Sequence, residues 1–404
     1  MPDRPFIPRI ARTTEYQESV GDPMRDVAVI GAGSTVFGKL PTRTCEDLGK
    51  EAVLAAIEDA GIRPKDVDFA SCATVFGGYC MGQRVLKEVG ITGIEMVNVE
   101  NACAGGATAF RESWLRIATG QYDMAIALGV ESMTTSPVAG KLIEPPADDL
   151  EGQLGLTVPI FFALMMKRHM YEFGTTLQQA AEVSVKNHRH GAMNPYSQYR
   201  KELTVEEILN SRMICEPLTL LQCCPNTDGA AAVVLCASHI ARRYVSEPVT
   251  VAASVLRSGD YLYRWKDATF SDMSHLAARQ AYEMAACGPE NLDCIELHDP
   301  FTICELMHYE DLGLCGKGEG GKLIESGATR LGGKIPVNPS GGLLSKGHPL
   351  SATGVAQVAE SLWQLRGVAG QRQVAGAKVA LTHVVGGYVA GLESGAVGVH
   401  IFKV

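Results

Sequence analysis

Apolar positions along this chain alternate between two periods. Asp26 to Gly31 is a short run rich in Val and Ile, closed by Gly31-Ala32-Gly33, the pattern of a buried strand. From Thr44 to Ala60 the spacing turns helical: Leu48, Ala52, Ala55 and Ala56 share one face. Thr44 and Asp47 stand at capping-box spacing, and Gly61 follows as the stop. Val67 to Val75 returns to buried strand and Met96 to Val99 is strand-like. Cys103, Ala107, Phe110, Trp114 and Ile117 then recur at steps of four and three until Gly120, which predicts a helix over Cys103 to Ala118. Met124 to Val130, Thr227 to Ser238, Cys294 to Leu297 and Lys378 to Thr382 read as further strands. Strands alternating with helices predict an α/β protein with a mainly parallel sheet covered on both faces.

The same order comes twice. A helix followed by AGIRPKDVDFASC from Ala60 is echoed by a helix followed by ACGPENLDCIELHD from Ala286. In each half a loop, a long helix and a strand come next, which indicates an internal duplication of roughly 120 residues per half. The expected division is an irregular arm over 1–25, lying across another subunit, and a first half made of 26–133 with 227–248. Residues 134–226, irregular and bearing Met and Tyr, form an inserted lid, and 249–404 form the second half.

Composition narrows the function classes. With 46% hydrophobic and 20% charged residues among 404, the chain has the means for large cores and is not disordered. Against 45 acidic residues stand 36 basic ones, a net charge of −9 with no basic cluster, so nucleic acid is not an expected partner. Apolar runs such as Ala230 to Ala237 fall far short of the roughly 20 residues that cross a bilayer, so no membrane span is expected. The polar start is unlike a signal peptide, and the 12 Cys show no CxxC, which together point to reduced thiols and a cytoplasmic protein.

Four places carry candidate chemistry. Cys103, in Asn-Ala-Cys-Ala-Gly-Gly-Ala, opens a long helix, where unpaired N–H groups and the positive helix end favour thiolate. Nucleophile and first apolar residue of the helix both fit it. His348, in Gly-His-Pro-Leu-Ser-Ala-Thr-Gly, occupies the equivalent loop-to-helix corner of the second half, and pseudo-symmetry brings imidazole and thiol together. His298 is displayed at a strand's carboxyl end, with Asp299 as N-cap and Pro300 as first residue of a helix running to Leu312. His383 ends a strand before Val384-Val385-Gly386-Gly387, at the mirror position of Glu131; either the imidazole or the glycines' N–H groups serve the site. Gly31-Ala32-Gly33 lacks the third dinucleotide glycine, and Gly316 to Lys322 has Leu323 where a P-loop needs Ser or Thr. His188-Arg189-His190 and Cys223-Cys224 suggest metal in composition only and read as solvated loop and core thiols; no metal site is expected.

NACAGGA around Cys103, HDPF from His298, NPSGGLLSKGHPLSATG from Asn338 and HVVGG from His383 together resemble the thiolase superfamily, most of all its sterol-carrier-protein and archaeal-type members. SRMICEPLTLLQCCPNTDGAAAVVL from Ser211 and EDLGLCGKGEGGKLIESG from Glu310 extend the likeness over nearly all the chain after Asp26. The resemblance implies a five-layered αβαβα fold of two similar halves with a lid, at least a homodimer, and coenzyme A and acyl-CoA as substrates, with no covalently bound cofactor. Cys103 would take the acyl group; His348 would deprotonate it and, with His298, form one oxyanion hole. The N–H groups of Cys103 and of the Val385-Gly386 stretch would form the other. CoA-contacting residues are not identified. Related thiolases carry a second acid–base Cys at the position of Pro300 or of His383; here neither is Cys, and His383 and His298 become candidates, with Cys304 a turn further along. The expected activity is CoA-dependent cleavage of a β-oxoacyl-CoA, or the reverse Claisen condensation, with a bulky or aromatic substrate such as benzoylsuccinyl-CoA in view. A small zinc-ribbon/OB-fold protein is the partner the resemblance suggests. The alternatives are retro-aldol cleavage or acyl transfer to a non-CoA acceptor, and a CoA-binding scaffold subunit without activity. Relatives that cleave aldol-type side chains lose the nucleophile and replace the His of HDPF, whereas Cys103 and His298 are both present.

Overall fold

The computed structural model describes residues 24–137, 139, 149–261, 267–389 and 393–404. Apart from Met24 and Arg25, the arm expected over 1–25 lies outside the described residues.

Nine strands form one sheet: β1 (Val27–Ser34), β2 (Phe69–Ala73), β3 (Glu95–Val99), β4 (Met124–Ser132), β5 (Asp228–Ala237), β6 (Val249–Arg257), β7 (Cys294–Glu296), β8 (Val379–Gly386) and β9 (Ala396–Lys403), in the order β3-β2-β4-β5-β1-β6-β9-β8-β7. Read outward from the β1/β6 seam, the two sides match: β1, β5, β4, β2, β3 on one and β6, β9, β8, β7 on the other. A parallel bridge from Ile295 to Val337 supplies the counterpart of β3. The seam is short, two residue pairs joining Ala28 to Thr250 and Val29 to Val249. The repeated sequence order is thus a repeated topology.

The sheet is mixed, not mainly parallel. β2 runs parallel to β3 and β4, and β7 to β8, but β5 and β9 pair antiparallel on both sides. Each enters the sheet after its parallel unit, β9 by a short return and β5 after the inserted segment, and neither arrives by the helical crossover that parallel strands need.

Helix α1 (Cys45–Ala60) covers the outer face of the first half; its Thr44 capping box with Asp47 and left-handed Gly61 stand where the sequence places them. α2 (Gly105–Ala118), entered through a tight turn over Ala102–Ala104, packs beneath that half. In the inserted segment, α3 (Val158–Phe173) and α4 (Leu177–Ala192) lie against the second half's helices. His188 and His190 sit within α4 and are buried, not in a solvated loop. α5 (Asp272–Ala285) covers the outer face of β6 and β9, α6 (Thr302–Asp311) packs beside it, and α7 (Leu350–Leu365) is buried along nearly its whole length against α2 and both halves of the sheet. The layers run helix, sheet, helix, sheet, helix. Glycine lets α2 and α7 meet backbone to backbone: a Cβ on Gly106 would stand 2.4 Å from the Ser351 carbonyl oxygen. That crossing brings the N-terminal ends of the two central helices to one place.

Candidate active site

Cys103 lies in the turn before α2, and Ala102 just ahead of it takes a left-handed φ of 47°. A residue with a Cβ pays on the order of 1–3 kcal/mol for that conformation, and the bend aims the following side chain out of the helix end. The Ala102 N–H is tied to Glu100 Oε1 at 2.5 Å. The end of β8 lies flush against this turn, because a Cβ on Gly386 would fall 2.2 Å from the Asn101 carbonyl oxygen. The backbone N–H groups of Gly387 and of Cys103 itself lie near the sulfur and favour its anion. Gly386, in the stretch expected to donate to an oxyanion, is paired with Ala396 across β8 and β9 and provides room at this turn.

His348 reaches the same point from the second half. Its Nε2 is 3.1 Å from Cys103 Sγ, and its Nδ1 is 2.8 Å from Thr353 Oγ1. Thr353 donates its own proton to the Pro349 carbonyl at 3.3 Å, so its hydroxyl oxygen accepts from Nδ1–H. That tautomer leaves the Nε2 lone pair facing the thiol. The His348 N–H is fixed on Thr227 Oγ1 at 3.1 Å.

His298 completes the cluster. Its ring meets that of His348 edge to face at 5.3 Å between centroids, and donor atoms of Cys103, His298 and His348 all lie within 4.8 Å of one another. His298 Nδ1 is buried with no hydrogen-bond partner among the described residues. A thiol and two imidazoles are also a soft donor set of the kind that holds Zn²⁺. Asp299 does not cap α6, whose first turn is preceded by Phe301; its carboxylate accepts from Leu343 N–H at 2.8 Å and from Asn187 Nδ2 at 2.7 Å. It thereby ties the His298 loop to the loop leading to His348.

His383 is not in the cluster. It sits inside β8, with Nε2 3.0 Å from Ser274 Oγ and its ring 4.5 Å from that of His308. Cys304 is buried within α6. The segment 223–226, read from sequence as core thiols, instead runs between the two histidine loops. Cys223 bridges Phe301, the Cys224 N–H donates to the Pro300 carbonyl at 2.8 Å, and Asn226 bridges His348. A polar, cysteine-bearing stretch just before the buried β5 is the signal that could have marked it.

Burial pushes the Cys103 thiol up to about 12, against the opposing N–H groups of Gly387 and Cys103, while burial draws His348 down to about 3. The expectation of a lowered thiol pKa is thus reversed: desolvation of the anion outweighs the helix end. Burial thus favours thiol and neutral imidazole in the resting pair. His298, too, is held well below the usual imidazole range, by burial first and then by His348, His308 and His383. Because the thiol titrates high, iodoacetamide alkylation of Cys103 should quicken about tenfold per pH unit between pH 6 and 9. A thiolate–imidazolium pair would give a plateau over that interval, so a flat profile would contradict the neutral pair.

Residues 27–239 match the family model described as thiolase, N-terminal domain, and residues 256–394 that described as thiolase C-terminal domain-like. The chain belongs to the thiolase family and is an acyltransferase of the thiolase type. An acetyl-CoA acetyltransferase of Methanothermobacter thermautotrophicus is 46% identical over 387 residues, 94% of this chain and 100% of the relative. The benzoylsuccinyl-CoA thiolase subunit BbsB of Thauera aromatica is 41% identical over 90% of this chain and 95% of its own length. Sterol carrier protein 2 of Bos taurus is likewise 41% identical, over 94% of this chain and 73% of its own. A solved structure described as Ltp2-ChsH2(DUF35) aldolase superposes with a TM-score of 0.82 at 27% identity, covering 94% of this chain and 98% of the other. Among the described residues no helix is long and apolar enough to cross a membrane.

Proposed function

We propose that the chain cleaves a β-oxoacyl-CoA with CoA, or runs the reverse Claisen condensation, through an S-acyl intermediate on Cys103. The observation that carries this reading is the 3.1 Å approach of His348 Nε2 to Cys103 Sγ, with Nδ1 already committed to Thr353. His348 takes the thiol proton as sulfur attacks the oxo carbon. The N–H groups of Gly387 and Cys103 receive the oxyanion, an arrangement typically worth a few kcal/mol per donor. Collapse breaks the carbon–carbon bond and releases an enolate, whose thioester oxygen is met by His298 and His348. CoA thiol then attacks the acyl-Cys103 thioester and restores the enzyme.

Aromatic rings favour a bulky acyl group. Phe162 stacks on Phe301, three residues after His298, at 4.6 Å, and Phe161 meets Tyr388, next to Gly387, at 6.1 Å. Rings this near the His298 loop and Gly387, with a relative described as a benzoylsuccinyl-CoA thiolase subunit, support an aromatic or branched β-oxo substrate. The protein works in the cytoplasm as a homodimer or larger, alongside a small zinc-ribbon/OB-fold partner; a relative described as a subunit and a neighbour described by two components support a heteromeric assembly. Retro-aldol chemistry is less well supported, since it leaves the Cys103–His348 pair without use.

Incubation with acetoacetyl-CoA or a bulkier β-oxo thioester should add one acyl mass to the intact protein, mapped by peptide digestion to Cys103. Added CoA should discharge that mass as a new acyl-CoA. A wild-type protein that neither acquires the adduct nor consumes the thioester would overturn the reading.

A further inference from the structure

Resting on that reading, carbon–carbon chemistry needs more than a nucleophile and its base. The departing enolate must gain a proton, and the incoming CoA thiol must lose one. His348 is engaged with Cys103, and His383 Nε2 is engaged with Ser274 outside the cluster. Cys304 is enclosed within α6. A further thiol lies on the segment that runs between the two histidine loops. Cys224 is partly exposed, and its N–H is bound to the Pro300 carbonyl, two residues from His298. Two residues on, Asn226 bridges His348, so Cys224 is held between the two histidine loops by backbone bonds at both ends.

We propose that Cys224 is the second acid–base group of this site. Its thiol gives its proton to the Cα carbanion released from the Cys103 adduct, leaving Cys224 as thiolate. That thiolate takes the proton of the incoming CoA thiol, and the CoA sulfur attacks acyl-Cys103. One proton goes out and one comes back, and no further reactant is required. Burial, with Cys223, Cys103, Asp299 and Cys304 near it, raises the Cys224 thiol well above its usual range, which keeps it protonated for the first of these steps.

The test compares wild type, Cys224→Ala, Cys224→Ser and, as a neighbouring control, Cys223→Ala. Acylation of Cys103 by the acetyl thioester of 4-nitrothiophenol, whose thiolate leaves without needing a proton, read by intact mass, should stay within about threefold of wild type in all four. CoA-dependent cleavage of acetoacetyl-CoA should fall by about 100-fold or more in both Cys224 variants and in neither of the others. Exchange of the acetyl-CoA methyl protons with D₂O should be lost in parallel. Cys224→Ser preserves shape and serves if the alanine variant folds poorly, as judged by thermal unfolding. Cleavage within threefold of wild type in folded Cys224 variants overturns the assignment. Loss of the Cys103 adduct together with cleavage also overturns it, because the residue would then only position the nucleophile. A wild type without adduct sinks the parent reading instead, so the two failures are distinguishable.

Discussion

Cys103→Ala is expected to lose thiolytic turnover by about 10⁴-fold or more, with no acyl adduct detectable by mass. The size follows from the geometry. The sulfur is the atom that the lone pair of His348 faces at 3.1 Å, beside the backbone N–H groups of Gly387 and Cys103. Alanine leaves base and donors in place but removes the atom that attacks the oxo carbon. Cys103→Ser is a sharper comparison: it keeps a proton for His348 to accept, yet a hydroxyl is a weaker nucleophile toward a thioester and a harder group to deprotonate. It should retain the fold and a small residual rate. Turnover in Cys103→Ala within tenfold of wild type would mean that the acyl group never resides on this residue.

The parts of this molecule that were legible in the sequence are those decided by local spacing. Thr44, Asp47 and Gly61 bound α1 because caps act over three or four residues. The duplication was visible because both halves keep the same order of elements, and it led to the pairing of Cys103 with His348 from residues 245 apart in sequence. Pairing direction was not legible: β5 and β9 look like any buried strand, and only their neighbours decide that they run antiparallel. Asp299 before Pro300 satisfied every local rule for an N-cap, yet the N–H groups of Leu343 and Leu344 claim its carboxylate across the fold. The Cys103 pKa failed for a similar reason. A helix end can be read from sequence, whereas the desolvation that outweighs it belongs to the assembled core. Cys224 was passed over because two adjacent cysteines look like packing until both histidine loops are seen to flank them.

Lys186→Met should cost about 3–5 kcal/mol in a denaturant titration, more than almost any surface change, because it strands a buried charge. Lys186 is 1% exposed; its Nζ lies 2.7 Å from Glu305 Oε1 and 2.7 Å from the Val337 carbonyl. Around the same carboxylate, Asn187 and Asn338 donate to Oε2 at 2.8 Å each, and the Tyr309 hydroxyl donates to Oε1. Asn187 also holds Asp299, and Asn338 Oδ1 accepts from the Leu297 N–H at 2.8 Å. The network therefore grips the backbone immediately before His298 and the side chain immediately after it. Without the ammonium, Glu305 loses its cation and Asp299, already raised by burial and by Glu305, loses the charge that opposed that shift, so the change falls on the His298 loop. Adding Glu305→Gln in the Lys186→Met background removes the stranded charge while keeping its shape. The double variant should recover at least half of the lost stability, a coupling that independent sites would not show. Turnover in the single variant should fall more than acylation of Cys103, since His298 is the group displaced. A single variant that unfolds within 1 kcal/mol of wild type would show that the Lys186–Glu305 contact adds nothing and that the loop is held by its amide donors alone.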